Sequence, residues 1–125
     1  MNRRLQALAL VVGLLSVSAI ASAHHSWPID RSKLVTVKGT VTSFSWANPH
    51  PMISLDVRGD DGRTETWSVG GPAINRMEAN GWTKTTVKPG DVITGVGYQY
   101  VDGSKVIRLE HVVLADGRKL RVYGR

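Results

Sequence analysis

The chain has 125 residues, with 16 Lys plus Arg against 10 Asp plus Glu, four histidines and no cysteine. Such a length suits one domain with a modest core. The missing cysteine excludes disulfide stapling and every thiolate metal site, so histidine, carboxylate and the N-terminal amine are the strong ligands that remain.

Residues 1–23 read as an export signal. Arg3 and Arg4 form a positive start, Leu5 to Val17 is an apolar run interrupted at Gln6, and Ala21-Ser22-Ala23 gives the A-x-A pattern of signal peptidase. The run is too short to span a bilayer comfortably, and no second apolar segment follows. Processing therefore leaves no transmembrane segment, and a periplasmic or secreted location is expected; the alternative is an uncleaved N-terminal anchor. Losing Arg3 and Arg4 removes two of the 16 basic residues and none of the 10 acidic ones, giving a mature net charge of about +4. These charges are scattered along the chain and read as a solvated face with a mild attraction for anions. Outside the cytoplasm, nucleic acid is not an expected partner.

Residues 24–32 are expected to be an extended segment, and residues 33–125 a β-barrel domain. "KLVTVKGTVTSFSW" places Val35, Val37 and Val41 on one parity, then Phe44 and Trp46 on the other. A parity switch inside a long strand requires an added residue or a bend. "MISLDVR" alternates with Ile53, Leu55 and Val57 inward, and "GDDG" turns it into "RTETWSV", where Trp67 and Val69 face the core. "GGPAINRMEANGW" is the one convincing helix. Pro72 suits its first turn, Ala73, Ile74 and Met77 form an apolar stripe, and Asn80-Gly81 stops it, with Trp82 packing the helix end on the barrel. "VKPGDVITGVGYQY", "VIRLEHVVL" and a short "RKLRVYG" supply two or three further strands.

The order β-β-β-α-β-β(-β) is that of an all-β chain with one short helix, a small OB-fold-like Greek-key barrel. An open β-sandwich is the competitor, and it gives no natural place to a helix after the third strand.

If cleavage follows Ala23, His24 becomes the first residue and offers its amine and imidazole to one metal ion. A third nitrogen from His50 would complete a histidine brace, and Cu(II) favours such tetragonal nitrogen sets. His50 lies in "WANPHP", a Pro-bracketed turn between the first two strands, whereas His25 is a poorer third ligand because neighbours converge only with strain. Cleavage after Ala21 would instead start Ser22-Ala23-His24, which also chelates Cu(II) or Ni(II) in a square plane. The competing reading of these residues is a solvated tail.

His111 shares parity with Ile107, Leu109 and Val113, and reads as a core or rim residue. Glu65 shares the parity of Trp67 near a hairpin end, where solvent is expected. Asp60, Asp61 and Asp91 are turn residues. No nucleophile spacing such as Gly-x-Ser-x-Gly occurs, and no catalytic residue is expected. Most of the four tryptophans are expected to fill core volume.

"AHHS", "WANPHPMISLDV", "GGPAINRMEANGWTKTTVKPGD" and "LADGRKL" together resemble a family of small secreted bacterial proteins catalogued as a domain of unknown function. The resemblance implies an exported OB-like barrel and carries over to His24, His25, Ser26, Trp46, Asn48, Pro49 and His50; it implies no activity.

Two functions are expected from different classes. The first is an exported Cu(II)-binding protein using His24, His25 and His50, with Asn48 fixing the turn or bonding a ligand, for binding, delivery or sequestration. About a hundred mature residues leave little surface for a polymeric substrate, so binding is preferred to redox catalysis. The second is a non-metal interaction module for a protein, glycan or envelope component, with Trp46, Tyr98 and Tyr100 as contacts. From His24 to Lys33 the chain reaches about 30 Å when extended, comparable to a small barrel's diameter.

Overall fold

A computed structural model describes residues 27–124. Strand β1 (Ile29–Ser45), β2 (Met52–Arg58) and β3 (Thr64–Gly70) form a meander, followed by helix α1 (Ile74–Glu78), then β4 (Val92–Tyr100), β5 (Val106–Val113) and β6 (Lys119–Arg121). The sheet runs β3-β2-β1-β4-β5-β6, and a parallel pairing of β3 with β5 closes it into a ring. This is the expected OB-fold-like Greek-key barrel, with its helix after the third strand.

Closure needs long, bent strands, and β1 provides them. Between Val41 and Ser43 its register with β2 shifts, so that Val41 opposes Leu55 while Phe44 opposes Ile53. The extra residue carries the inward face from Val37 and Val41 to Phe44 and Trp46, as the parity switch required. The strand also begins at Ile29, four residues before Lys33, where Ile29 pairs with Tyr100. Residues 29–32 thus join the sheet and bring Arg31 onto the barrel.

The core is mainly aliphatic, with Val37, Val41, Ile53, Leu55, Ile107 and Leu109 all buried, and it also encloses Met77 and Trp82. Trp67 and Val57 pack at its edge, while Val69 is fully enclosed. Glu65 lies in solvent and pairs with Lys105 at 2.7 Å. In the β2–β3 turn the Arg63 amide donates to Asp61 Oδ1 at 2.9 Å, which confirms aspartate as a turn residue there.

Helix α1 is shorter than its segment suggested. Pro72 stays outside it, Ala73 is the N-cap, and only Ile74–Glu78 is helical. The far end stops where expected, with Gly81 at φ 88° and the Trp82 amide donating to Met77 O at 3.1 Å. Trp82 is 1% exposed, and its indole Nε1 donates to the Arg121 carbonyl at 2.8 Å, tying the helix end to β6.

His111 departs from its expected inward position. Leu109 opposes Gly97 while His111 opposes Val96, so Glu110 is an added residue on β5. The inward set passes from Ile107 and Leu109 to Val112 and Leu114, leaving His111 half-buried on the other face. A bulge that flips parity is invisible in a strand whose valines occupy both faces.

Candidate rim site and arginine cleft

Three chain segments meet at the barrel rim. In the β1–β2 loop, Asn48 Oδ1 accepts the Ile74 amide at 3.3 Å, and the Pro51 carbonyl accepts the Gly71 amide at 2.9 Å. Asn48 thus ties the β1–β2 loop to the start of α1. The Asn48–Pro49 bond is cis.

His50 follows directly and is half-buried, with its Nδ1 enclosed and without a hydrogen-bond partner among the described residues. Its ring lies 4.5 Å from that of Trp27, tilted by 57°. Trp27 is in turn edge-on to Tyr100 at 5.9 Å. Gly70 makes room for it, because a Cβ there would come within 2.7 Å of Trp27 Cη2. A backbone bond from Val101 N to Pro28 O at 2.8 Å holds this segment to the end of β4, and one from Ile29 N to Trp27 O, also 2.8 Å, turns the chain locally.

His24 and His25 lie outside the described residues. Within residues 27–124, no three His, Cys, Asp or Glu side chains group closely enough to hold a metal ion.

Positive charges that are scattered along the sequence in part come together in the fold. Arg31 of β1, Arg76 of α1 and Arg108 of β5 line one cleft of about 330 Å³ beside Trp27, His50 and Tyr123. A second hollow of about 250 Å³ adjoins it, shares Arg31, Arg108 and Tyr123, and is walled by Ile29, Tyr98 and Glu110. Arg108 Nε donates to Tyr123 Oη at 2.8 Å, and Nη2 contacts the same oxygen. Its guanidinium carbon is 5.7 Å from the Trp27 ring centre and 5.0 Å from that of Tyr123, so cation–π attraction holds it from two sides. Among the described residues none of these three arginines is ion-paired; the paired bases are Arg63, Lys105 and Arg118.

The expected aromatic contacts divide. Tyr98 lines the second hollow and Tyr100 supports Trp27, where burial raises its phenol pKa. Trp46 instead packs edge-on against Phe44 at 5.5 Å and joins the core margin. Trp27, Arg31, Arg76, Arg108 and Tyr123 were not singled out by sequence, since no local spacing links residues contributed by separate elements.

His111 sits apart from this site. Burial and the nearby Lys119 and Arg121 lower its pKa below the ordinary 6.5, partly offset by Glu110. The folded state then binds fewer protons than the unfolded one below that value. Its contribution to stability is full above pH 6.5 and declines as pH falls through that value toward the folded pKa. Replacing it by Gln is expected to lessen the drop in Tm between neutral pH and about pH 5, measured by thermal melts of both proteins.

The closed five-strand ring, with β6 appended and a helix after β3, defines a small OB-fold-like barrel. The sequence pattern of a family of unknown function (DUF6152) matches residues 10–108, and the chain belongs to that family. No curated protein matches it. Among solved structures, a ZRD-deleted mutant of TiaS in complex with agmatine is 14% identical at a TM-score of 0.50, covering 69% of this chain and 22% of that one. A complex of TiaS with a tRNA and ATP is 12% identical at 0.48, covering 74% and 20%. This chain thus spans about a fifth of the length of those chains, and the first likeness is one of fold alone. No helix among the described residues is long and apolar enough to cross a membrane.

Proposed function

We propose that the protein is an exported metal-binding protein for Cu(II), held by His24 and His25 of the processed N-terminal segment together with His50. The observation that carries this reading is the packing of Trp27 on His50 at 4.5 Å. Trp27 is three residue steps from His24, a chain length that spans at most about 11 Å when fully extended. β1 begins at Ile29 rather than near Lys33, and the described chain starts beside the β1–β2 loop, which shortens the span that His24 has to cover. The enclosed Nδ1 of His50 has no hydrogen-bond partner among the described residues; the Nδ1 of His111 shares that state, so this feature agrees with the reading without singling out His50. Asn48 acts at one remove, holding the loop that presents His50. Export to the periplasm or beyond, and delivery to or sequestration from an envelope protein, belong to the same proposal.

The test is Cu(II) titration of the processed protein, its N-terminus fixed by intact mass, in competition with a chelator. The parent is expected to bind one equivalent, and His50→Ala to bind at least tenfold more weakly, while His111→Ala matches the parent. Equal affinity of the His50→Ala protein and its parent would mean that the N-terminal segment chelates copper alone, and the rim site would be withdrawn.

The alternative, a non-metal interaction module, is favoured by one observation: Arg31 and Arg108, not ion-paired among the described residues, share with Tyr98 the hollow that adjoins the His50 cleft.

A further inference from the structure

Charge inside this cleft is unbalanced. Arg31, Arg76 and Arg108 face it, and Glu110 is the one carboxylate along its walls among the described residues. Asp30, next to Arg31 in sequence, lines neither hollow; its Oδ1 accepts the Ser32 hydroxyl at 2.6 Å and the Ser32 amide at 2.9 Å, bonds that leave its charge in place. The cleft therefore carries a formal charge of about +2 in a partly enclosed space, where Coulombic attraction exceeds that between fully hydrated ions. Guanidinium is the cation best matched to oxyanions, because its planar donors bind two oxygens at once.

One of the three is also held in place. Arg108 is gripped by the Tyr123 hydroxyl through Nε and Nη2, and lies over the rings of Trp27 and Tyr123. Those contacts occupy Nε and one face of Nη2 without neutralising the charge, and they leave Nη1 uncommitted among the described residues. Fixing the side chain in advance removes much of the rotamer entropy that a ligand would otherwise have to overcome. The adjoining surfaces are apolar or aromatic: Ile29, Tyr98 and Leu109 on one side, Trp27, Pro72 and Ala73 on the other. Volumes of about 250 and 330 Å³ for the two overlapping hollows limit the occupant to a small molecule.

We infer that the cleft between β1, α1 and β5 binds a small organic dianion, its oxyanion group among Arg31, Arg76 and Arg108 and its apolar body against the aromatic walls. The doubly charged group matches the net charge of the walls; a monoanion leaves one guanidinium unanswered, and a bare dication is repelled. This inference extends the module reading and does not require copper to bind, although His50 lines the same cleft. The two sites adjoin through His50 and Trp27, but they take ligands of opposite charge through different side chains.

Binding is measured by calorimetry on the full processed chain, stripped of metal on a chelating resin, in about 0.15 M salt so that diffuse attraction is screened. The probes are phenyl phosphate as an aromatic dianion, inorganic phosphate as the free ion, and benzoate as an aromatic monoanion. Phenyl phosphate is expected to bind at one site, at least tenfold more tightly than benzoate and more tightly than inorganic phosphate. Arg76→Gln is expected to weaken it tenfold or more with an unchanged Tm, since Arg76 is exposed and its guanidinium has no partner among the described residues. Arg118→Gln, which alters a cation paired with Asp116 elsewhere, is expected to leave binding unchanged. Absence of saturable phenyl phosphate binding overturns the inference, as does equal weakening by Arg76→Gln and Arg118→Gln. Inorganic phosphate binding as tightly as phenyl phosphate would remove the organic body from the proposal. Copper affinity in Arg76→Gln is expected to be no weaker than in the parent, because a cation beside His50 has been removed, so weakened anion binding there is separate from failure of the metal site.

Discussion

Trp82→Ala is expected to cost about 3–5 kcal/mol of folding stability, enough to threaten the folded state of a cysteine-free domain of this size. The residue is 1% exposed and among the largest fully enclosed side chains. Removing its ring leaves a cavity between the helix end, Phe44 and β6, where relaxation is limited because the ring also meets Phe44 at 6.4 Å. The Arg121 carbonyl loses its indole donor as well, a further cost when the group stays sheltered. At about 4–8 °C per kcal/mol for a domain near a hundred residues, Tm falls by well over 10 °C or the cooperative transition disappears. Trp82→Phe keeps most of the apolar volume and loses the hydrogen bond, so its Tm is expected between those of the parent and the alanine variant. If Trp82→Ala melts within a few degrees of the parent, the indole is not the wedge that joins helix, loop and β6.

Why Trp82 was legible and Arg108 was not is a matter of where the determining contacts lie. A tryptophan directly after Asn80-Gly81 has its position set by the local helix stop, so its role follows from a few neighbouring residues. The strand order was equally accessible, because alternation in "MISLDVR" and turn residues at "GDDG" act over two to four positions. Even the β1 bulge announced itself, since the valines before it and the aromatics after it have opposite parity. On β5 the corresponding signal is absent: Val112 and Val113 are both apolar, and the inserted Glu110 is concealed. His111 was accordingly placed on the wrong face.

The arginine cleft needs more than local information. Arg31 reaches it only because β1 extends back to Ile29, Arg76 because Asn48 pins the loop to α1, and Arg108 because β5 closes against β3. Each placement is a consequence of barrel closure, and linear charge patterning carries no trace of it. The same closure gives meaning to Trp27, whose ring occupies the space above Gly70 left by the missing side chain. His50 lies between these cases: its Pro-bracketed loop marked it as a rim residue, whereas its tryptophan partner was fixed by tertiary structure.

Gly97→Ala is expected to disturb fold and cleft together, because this glycine sits where β5 departs from regular pairing. It opposes Val35 on β1 and Leu109 on β5, at the register shift of the β4–β5 ladder. A Cβ at this position would lie 2.1 Å from the Arg108 carbonyl oxygen and 2.7 Å from its carbon. Those are backbone atoms of the neighbouring strand, so no rotamer change relieves the clash. Either β5 retreats from β4 or the bulge is redrawn, and both move the residue whose guanidinium joins the two hollows. Overpacking of this kind costs about 1–3 kcal/mol, and the rigid neighbour places Gly97→Ala toward the upper end. Gly90→Ala is the useful contrast: its φ is +94°, but a Cβ there meets nothing within 4 Å, so its cost is confined to local backbone strain. Gly97→Ala is therefore expected to lower Tm and to weaken phenyl phosphate binding, whereas Gly90→Ala lowers Tm with anion affinity intact. Loss of affinity in both variants would point to general unfolding as the cause; loss in Gly97→Ala alone ties the cleft to the path of β5 through Arg108.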